Sequence, residues 1–190
     1  MGRITVVNNI TLDGIMQAPA RPDEDTRDGF VHGGWAMPYQ DAVIGKKMGE
    51  MMGASAGSLL FGRRTYEDFY DVWPKRKDNP FTEHLNKVQK YVASTTLKEP
   101  LPWENSILLK GDVADAVASL KQQNDLTILG SGELIQSLMK KDLIDSYVLL
   151  IFPIVLGKGH RLFSEEAFAN LRLIESTVSD TGVIITRYER

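Results

Sequence analysis

Gly62-Arg63-Arg64-Thr65 sets two guanidinium groups and a hydroxyl directly behind a glycine. Ahead of them runs Leu59-Leu60-Phe61, long enough for a buried strand. After them Tyr66, Phe69, Tyr70 and Trp73 keep the spacing of one helix face. A strand, a tight turn and a helix start form an anion site, because the first helical turn leaves backbone N–H groups unpaired and carries the positive end of the dipole. Phosphate is the natural ligand for such a place. The same residues also suit a plain strand-to-helix connection with solvated arginines.

Leu126-Thr127-Ile128-Leu129 repeats the geometry, running into Gly130-Ser131-Gly132-Glu133 and then Leu134, Ile135, Leu138 and Met139. Glycines there let backbone N–H groups approach a pyrophosphate. The segment is not the Rossmann fingerprint, since Ile135 stands where a third glycine would be. Two such turns at the carboxyl ends of neighbouring parallel strands can hold one dinucleotide between them. A third glycine loop, Leu156-Gly157-Lys158-Gly159-His160-Arg161, carries three potential cations. It reads either as a tight connection or as a clamp for an anionic substrate tail.

Other chemistries are excluded or unsupported. The chain has no cysteine, so it has neither disulfide, thiol nucleophile nor thiolate metal site. His32, His84 and His160 lack ligand spacing, and no metal is expected. A net charge of −3 gives no electrostatic reason to expect nucleic acid. The first residues enter a strand pattern at once and no apolar run approaches the roughly 20 residues of a membrane helix, so the expectation is a soluble cytoplasmic protein.

The elements that must position these residues read as strands and helices in alternation. Ile4–Ile10, Ser58–Phe61, Lys90–Thr96, Ser106–Leu109, Leu126–Leu129 and Ser146–Val155 read as strands, the last ending near Pro153 in an edge or bulge. A helix stripe of Ile44, Met48, Met51 and Met52 lies between the first two, Phe81, Leu85 and Val88 give a short helix, and Asp112 is an N-cap for Val113, Val117 and Leu120. Pro74–Pro80 is expected to be irregular because of its flanking prolines. Leu171–Val178 and Val183–Tyr188, joined by Ser179-Asp180-Thr181-Gly182, read as a hairpin. The order implies a single α/β domain over residues 1–190. It is a three-layer, doubly wound, mostly parallel sheet with a C-terminal antiparallel hairpin. Residues 17–38 form a long irregular segment whose Phe30, Trp35 and Met37 suggest a lid over substrate. Apolar edge from Val148–Val155 and the hairpin suggests a homodimer.

Gly62-Arg63-Arg64-Thr65-Tyr66-Glu67 resembles the phosphate-gripping segment of the dihydrofolate-reductase-like superfamily. With Thr11-Leu12-Asp13-Gly14, Leu129-Gly130-Ser131-Gly132 and Pro153–Gly159, the chain is most similar to the RibD C-terminal family, the reductase domain of the riboflavin-biosynthesis deaminase-reductase. The four segments span almost the whole chain in order. The resemblance implies the dihydrofolate-reductase-like fold and NADPH as cofactor. It places Gly62, Arg63, Arg64, Thr65, Gly130, Ser131, Gly132, Glu133 and Leu134 on its phosphates, Ser94 and Thr95 on its 2′-phosphate, and Asn9 beside the nicotinamide. Asp13 becomes the candidate catalytic residue, and Asp13, Trp35 and Lys158 candidate contacts of a small-molecule substrate.

The implied reaction is hydride transfer like that of 5-amino-6-(5-phosphoribosylamino)uracil reductase, to a pyrimidine-like, pterin-like or small carbonyl or imine substrate. Dihydrofolate-type pteridine reduction ranks second. Aligning Ala36-Met37-Pro38-Tyr39 on the corresponding folate-enzyme segment puts Ile44 where a carboxylate would hold the pterin, and Asp41 falls off the stripe. A non-catalytic nucleotide-binding module is the other alternative. Without cysteine no deaminase zinc motif is possible, so the chain reads as a stand-alone reductase-like domain.

Overall fold

The computed structural model describes residues 1–54, 57–77 and 79–190, with backbone only at 52–54 and 80. Of the sequence expectations, the Met52 side chain and Asp78 lie outside the described residues. The elements are β1 (Ile4–Thr11), α1 (Ala42–Ala54), β2 (Ser58–Gly62), α2 (Arg63–Val72), α3 (Pro80–Lys87), β3 (Lys90–Ala93) and β4 (Ser106–Leu108). They continue with α4 (Val113–Lys121), β5 (Leu126–Leu129), α5 (Gly132–Met139), β6 (Ser146–Phe152), β7 (Arg172–Val178) and β8 (Ile184–Glu189).

All eight strands form one sheet in the order β4-β3-β2-β5-β1-β6-β8-β7. The first six in that order run parallel, and β8 and β7 are antiparallel to their neighbours. The expected α/β architecture with its closing hairpin is what the chain adopts. Along β1, Ile4 and Val6 feed one apolar layer with Leu134, Ile135 and Leu138 of α5. Val7 feeds the other, with Ile44 of α1 and Tyr66 of α2. Both faces of β1 are buried, which is why it reads as a continuous apolar run.

Three departures from the sequence reading have clear causes. The strand expected to reach Val155 ends at Phe152, before Pro153, which cannot donate to the ladder. That strand is no edge, because β6 lies between β1 and β8; the apolar-edge argument for a homodimer therefore loses its main support. Likewise β3 stops at Ala93 and leaves Ser94 and Thr95 in the following turn. The Pro74–Pro80 stretch does contain regular structure: Trp73–Lys75 is a 3-10 turn and Pro80 opens α3, with Asn79 accepting from the Phe81 N–H at 2.9 Å. Both prolines occupy a first helical turn, where a missing N–H costs nothing.

Irregular segment 17–38 is anchored in the core through Gln17, Ala18, Phe30, Trp35 and Ala36. Trp35 and Phe30 are each only 5 % exposed. Trp35 packs edge-on against Phe152 with ring centres 5.2 Å apart, and its Nε1 donates to the Gln17 carbonyl at 2.7 Å. Burial of this loop is possible because its backbone is bonded: Gly34 N–H donates to the Ala18 carbonyl at 2.8 Å and Ala36 N–H to the Pro19 carbonyl at 3.0 Å. Trp35 is thus a core residue and not the face of a cover, while Met37 is exposed.

Candidate active-site cleft

An open cleft of about 1700 Å³ lies along the carboxyl ends of the parallel strands. Its floor includes Asn9 of β1, Gly62-Arg63-Arg64-Thr65 after β2, Ser94 and Thr95 after β3, and Gly130–Leu134 after β5. Every residue that the sequence suggested for the cofactor lines this one cleft. Such a place, where ligands meet the carboxyl ends of strands in an open α/β sheet, is physically expected to bind.

The two glycine turns are bonded to each other. β2 and β5 are parallel neighbours, Leu60 opposite Ile128. Beyond them, the Gly62 N–H donates to Ser131 Oγ at 3.0 Å and the Ser131 N–H donates to Thr65 Oγ1 at 3.1 Å. The Ser131 hydroxyl donates in turn to the Leu129 carbonyl at 3.2 Å. Gly130 and Ser131 both hold left-handed backbone, with φ of +60° and +62°. A Cβ on Gly130 would also come within 3.2 Å of Thr65 Cγ2, so glycine fits there on two grounds. Two helix N-termini, of α2 and α5, therefore open side by side onto the cleft.

Charges along this floor are unevenly committed. Arg63 pairs with Glu67 one turn on, at 2.9 Å and half exposed, whereas Arg64 is exposed and has no carboxylate partner among the described residues. Ser94 Oγ accepts from the N–H groups of Thr96 at 3.1 Å and Leu97 at 3.0 Å, and Thr95 is exposed. Glu133 is exposed and Leu134 buried.

Above the floor, residues 21–27 are held to both helices. Arg21 pairs with Asp68 of α2; Arg27 grips Asp25 through two nitrogens and reaches Glu133 of α5 at 3.0 Å. Burial, only partly offset by the Ala20 and Arg21 N–H groups, pushes the Glu24 carboxyl up. At Asp25 burial is outweighed by the Arg27 guanidinium, which holds that carboxyl down. Sequence reasoning missed this strap. Its signal was present in the acidic run Asp23-Glu24-Asp25 set between Arg21 and Arg27.

The substrate-side candidates fare differently. Trp35, Asp13 and Lys158 do not line the cleft. Burial would raise the Asp13 carboxyl, but the Thr11 hydroxyl at 2.6 Å and the N–H groups of Gly157 at 2.8 Å and Leu156 at 3.3 Å hold it lowered. It clasps the loop after β6, a role for an ionised oxygen and not for a proton donor. Lys158 is exposed on that loop, which instead sends His160 and Arg161 to the cleft. His160 Nε2 lies 2.9 Å from an Asp28 oxygen.

From α1 the cleft is lined by Ile44, Gly45, Met48 and Gly49, none of them acidic. Asp41 is occupied elsewhere. Its two oxygens accept from the Ile44 N–H at 2.9 Å and from the Thr181 N–H and hydroxyl, both at 3.1 Å.

Residues 3–185 match the RibD C-terminal domain. Among curated proteins, the chain is 26 % identical over 171 residues to YyaP of Bacillus subtilis, an uncharacterized protein, covering 84 % of this chain and 87 % of that one. YwjB of the same organism, also uncharacterized, is 42 % identical over 50 residues, 25 % of this chain and 29 % of its own. A Shewanella crystal structure provisionally assigned to riboflavin biosynthesis superposes with a TM-score of 0.70 at 25 % identity, covering 99 % of this chain and 98 % of that one. A pyrimidine reductase-like protein from Corynebacterium diphtheriae shares the fold, with a TM-score of 0.67 at 13 % identity over 99 % of this chain and 91 % of that one.

Proposed function

The chain belongs to the RibD C-terminal domain family, and from that premise we propose that it is an NADPH-dependent reductase acting on a small pyrimidine-like, carbonyl or imine substrate. The observation that carries this reading is the cross-bonded pair of glycine turns at the ends of β2 and β5, where two helix N-termini open side by side onto the cleft. The residues present fit the cofactor. Unpaired N–H groups of α2 and α5 suit a pyrophosphate, and Arg64 is a cation with no other carboxylate to hold. Ser94 and Thr95 stand at the end of β3, on the far side of β2, where the 2′-phosphate would lie.

In this reading NADPH, when bound, supplies the hydride, and the chain supplies position and dryness. Gly62–Thr65 and Gly130–Leu134 hold the phosphates, Arg63 and Arg64 select the 2′-phosphate, and Asn9 borders the ring at the end of β1. The strap from Arg21 to Arg27 covers the phosphates from above. Ile44 and Met48 leave no carboxylate for a pterin amidine, so pteridine reduction is disfavoured. Stoichiometric NADPH oxidation against a panel of pyrimidine, pterin and small carbonyl compounds tests the proposal; absence of cofactor binding by calorimetry overturns it. The proposal includes a cytoplasmic location and a homodimer, for which an apolar edge remains in β7, with Leu173 and Val178 exposed. Among the described residues no helix is long and apolar enough to cross a membrane. Light scattering returning only the 21.3 kDa mass would refute the dimer.

A further inference from the structure

The cleft exceeds the needs of one ligand: about 1700 Å³, against roughly 300–1,000 Å³ for a typical small-molecule site. One part of its wall, away from the glycine turns, is apolar and aromatic. Ile44 and Met48 come from α1, Phe69 from α2, and Trp73 and Phe81 from the segment that follows. Phe69 and Trp73 have ring centres 6.1 Å apart, and Trp73 meets Phe81 edge-on at 4.7 Å. These side chains belong to one apolar cluster, Ile44 inside it and the others packed on its surface.

Several cations of the cleft stand in ion pairs. Arg21, Arg27 and Arg63 pair with Asp68, with Asp25 and Glu133, and with Glu67. His160 faces Asp28, and Arg161 donates to the Asp13 carbonyl. Lys158 is exposed and off the cleft. Among the described cleft residues that can carry positive charge, Arg64, Arg76 and His84 have no carboxylate partner. The first stands in the turn assigned to the cofactor. The guanidinium of the second lies over the Trp73 ring at 4.9 Å.

Resting on the reductase reading and deepening it, we infer that the substrate is a flat carbonyl or imine compound bearing an apolar alkyl or aryl arm, the arm lying on the wall of Ile44, Met48, Phe69, Trp73 and Phe81. Arm length then sets affinity, by about three- to fourfold for each methylene removed from water.

The test is a binding titration of the full chain without NADPH, so that its outcome is separate from that of the cofactor experiment. Two series serve as probes, N1-alkyl uracils and straight-chain 2-alkanones of increasing length. Calorimetry should show affinity rising about three- to fourfold per methylene in at least one series. Trp35 and Trp103 are only 5 % and 2 % exposed, so a fluorescence change on binding reports Trp73. Trp73→Phe should abolish that signal while calorimetry still records binding, and Met48→Ala should flatten the dependence on arm length. No gain with length in either series, undetectable binding included, overturns the inference.

Discussion

The Thr65 hydroxyl accepts a hydrogen bond from the Ser131 N–H across 66 residues of sequence, at 3.1 Å, and so fixes the distance between two helix starts. Thr65→Val keeps the shape and removes the acceptor, leaving a partly buried N–H unpaired. The expected loss is about 1–3 kcal/mol of stability, read by chemical denaturation, together with weaker NADPH binding. Thr65→Ser should restore both.

Arg63→Ala should weaken NADPH by about ten- to a hundredfold, the scale of a hydrogen bond to a charged group at about 1.5–3 kcal/mol, and leave NADH almost unchanged. Its present partner, Glu67, is a half-exposed neighbour one turn away, and such pairs are worth little. Equal losses for both cofactors in titration would remove Arg63 from the 2′-phosphate site.

Trp35→Ala should cost about 3–5 kcal/mol, because the ring is buried against Phe152 and its removal also strips the Gln17 carbonyl of a donor. Thermal unfolding is the measurement. Unchanged stability with a raised Michaelis constant would return Trp35 to the role of a cover.

Acid should loosen the joint between α1 and the terminal hairpin. The Ile44 N–H, opposed by burial and joined by Thr181 and Ser179, holds the Asp41 carboxyl at about 2 against an ordinary 3.8. A depressed carboxyl contributes stability that is complete above the unfolded value and disappears as pH falls from 3.8 towards 2. Asp41→Asn should flatten the pH dependence of unfolding across that window and leave neutral-pH cofactor binding alone.

Much of the cleft floor was legible, because a change from strand to helix period across a glycine marks a turn whatever surrounds it. Gly62 and Gly130 are of this kind. The bonds that join those turns were not legible, since nothing local to Thr65 names Ser131. Burial of Trp35 was hidden for a related reason: glycines and prolines show that residues 17–38 lack regular structure, but an irregular segment can lie over a core or inside it. Asp13 misled through its type. A carboxylate near a catalytic turn looks reactive in sequence, whereas its bonds to Thr11, Leu156 and Gly157 make it a clasp. The strap depended on ion pairs over long separations, with only the charge run at 23–25 to announce it.

The position of β1 has a bearing on how the chain is made. Of the eight strands β1 is synthesised first, and it sits between β5 and β6, which begin at Leu126 and Ser146. At a synthesis rate of about 5–20 residues per second, Ile4–Thr11 waits on the order of ten seconds for its first neighbour. Throughout that time it is an unpaired apolar strand, open to pairing with another nascent copy. A chain stalled before Leu126 lacks both neighbours of β1 and keeps that edge open to aggregation.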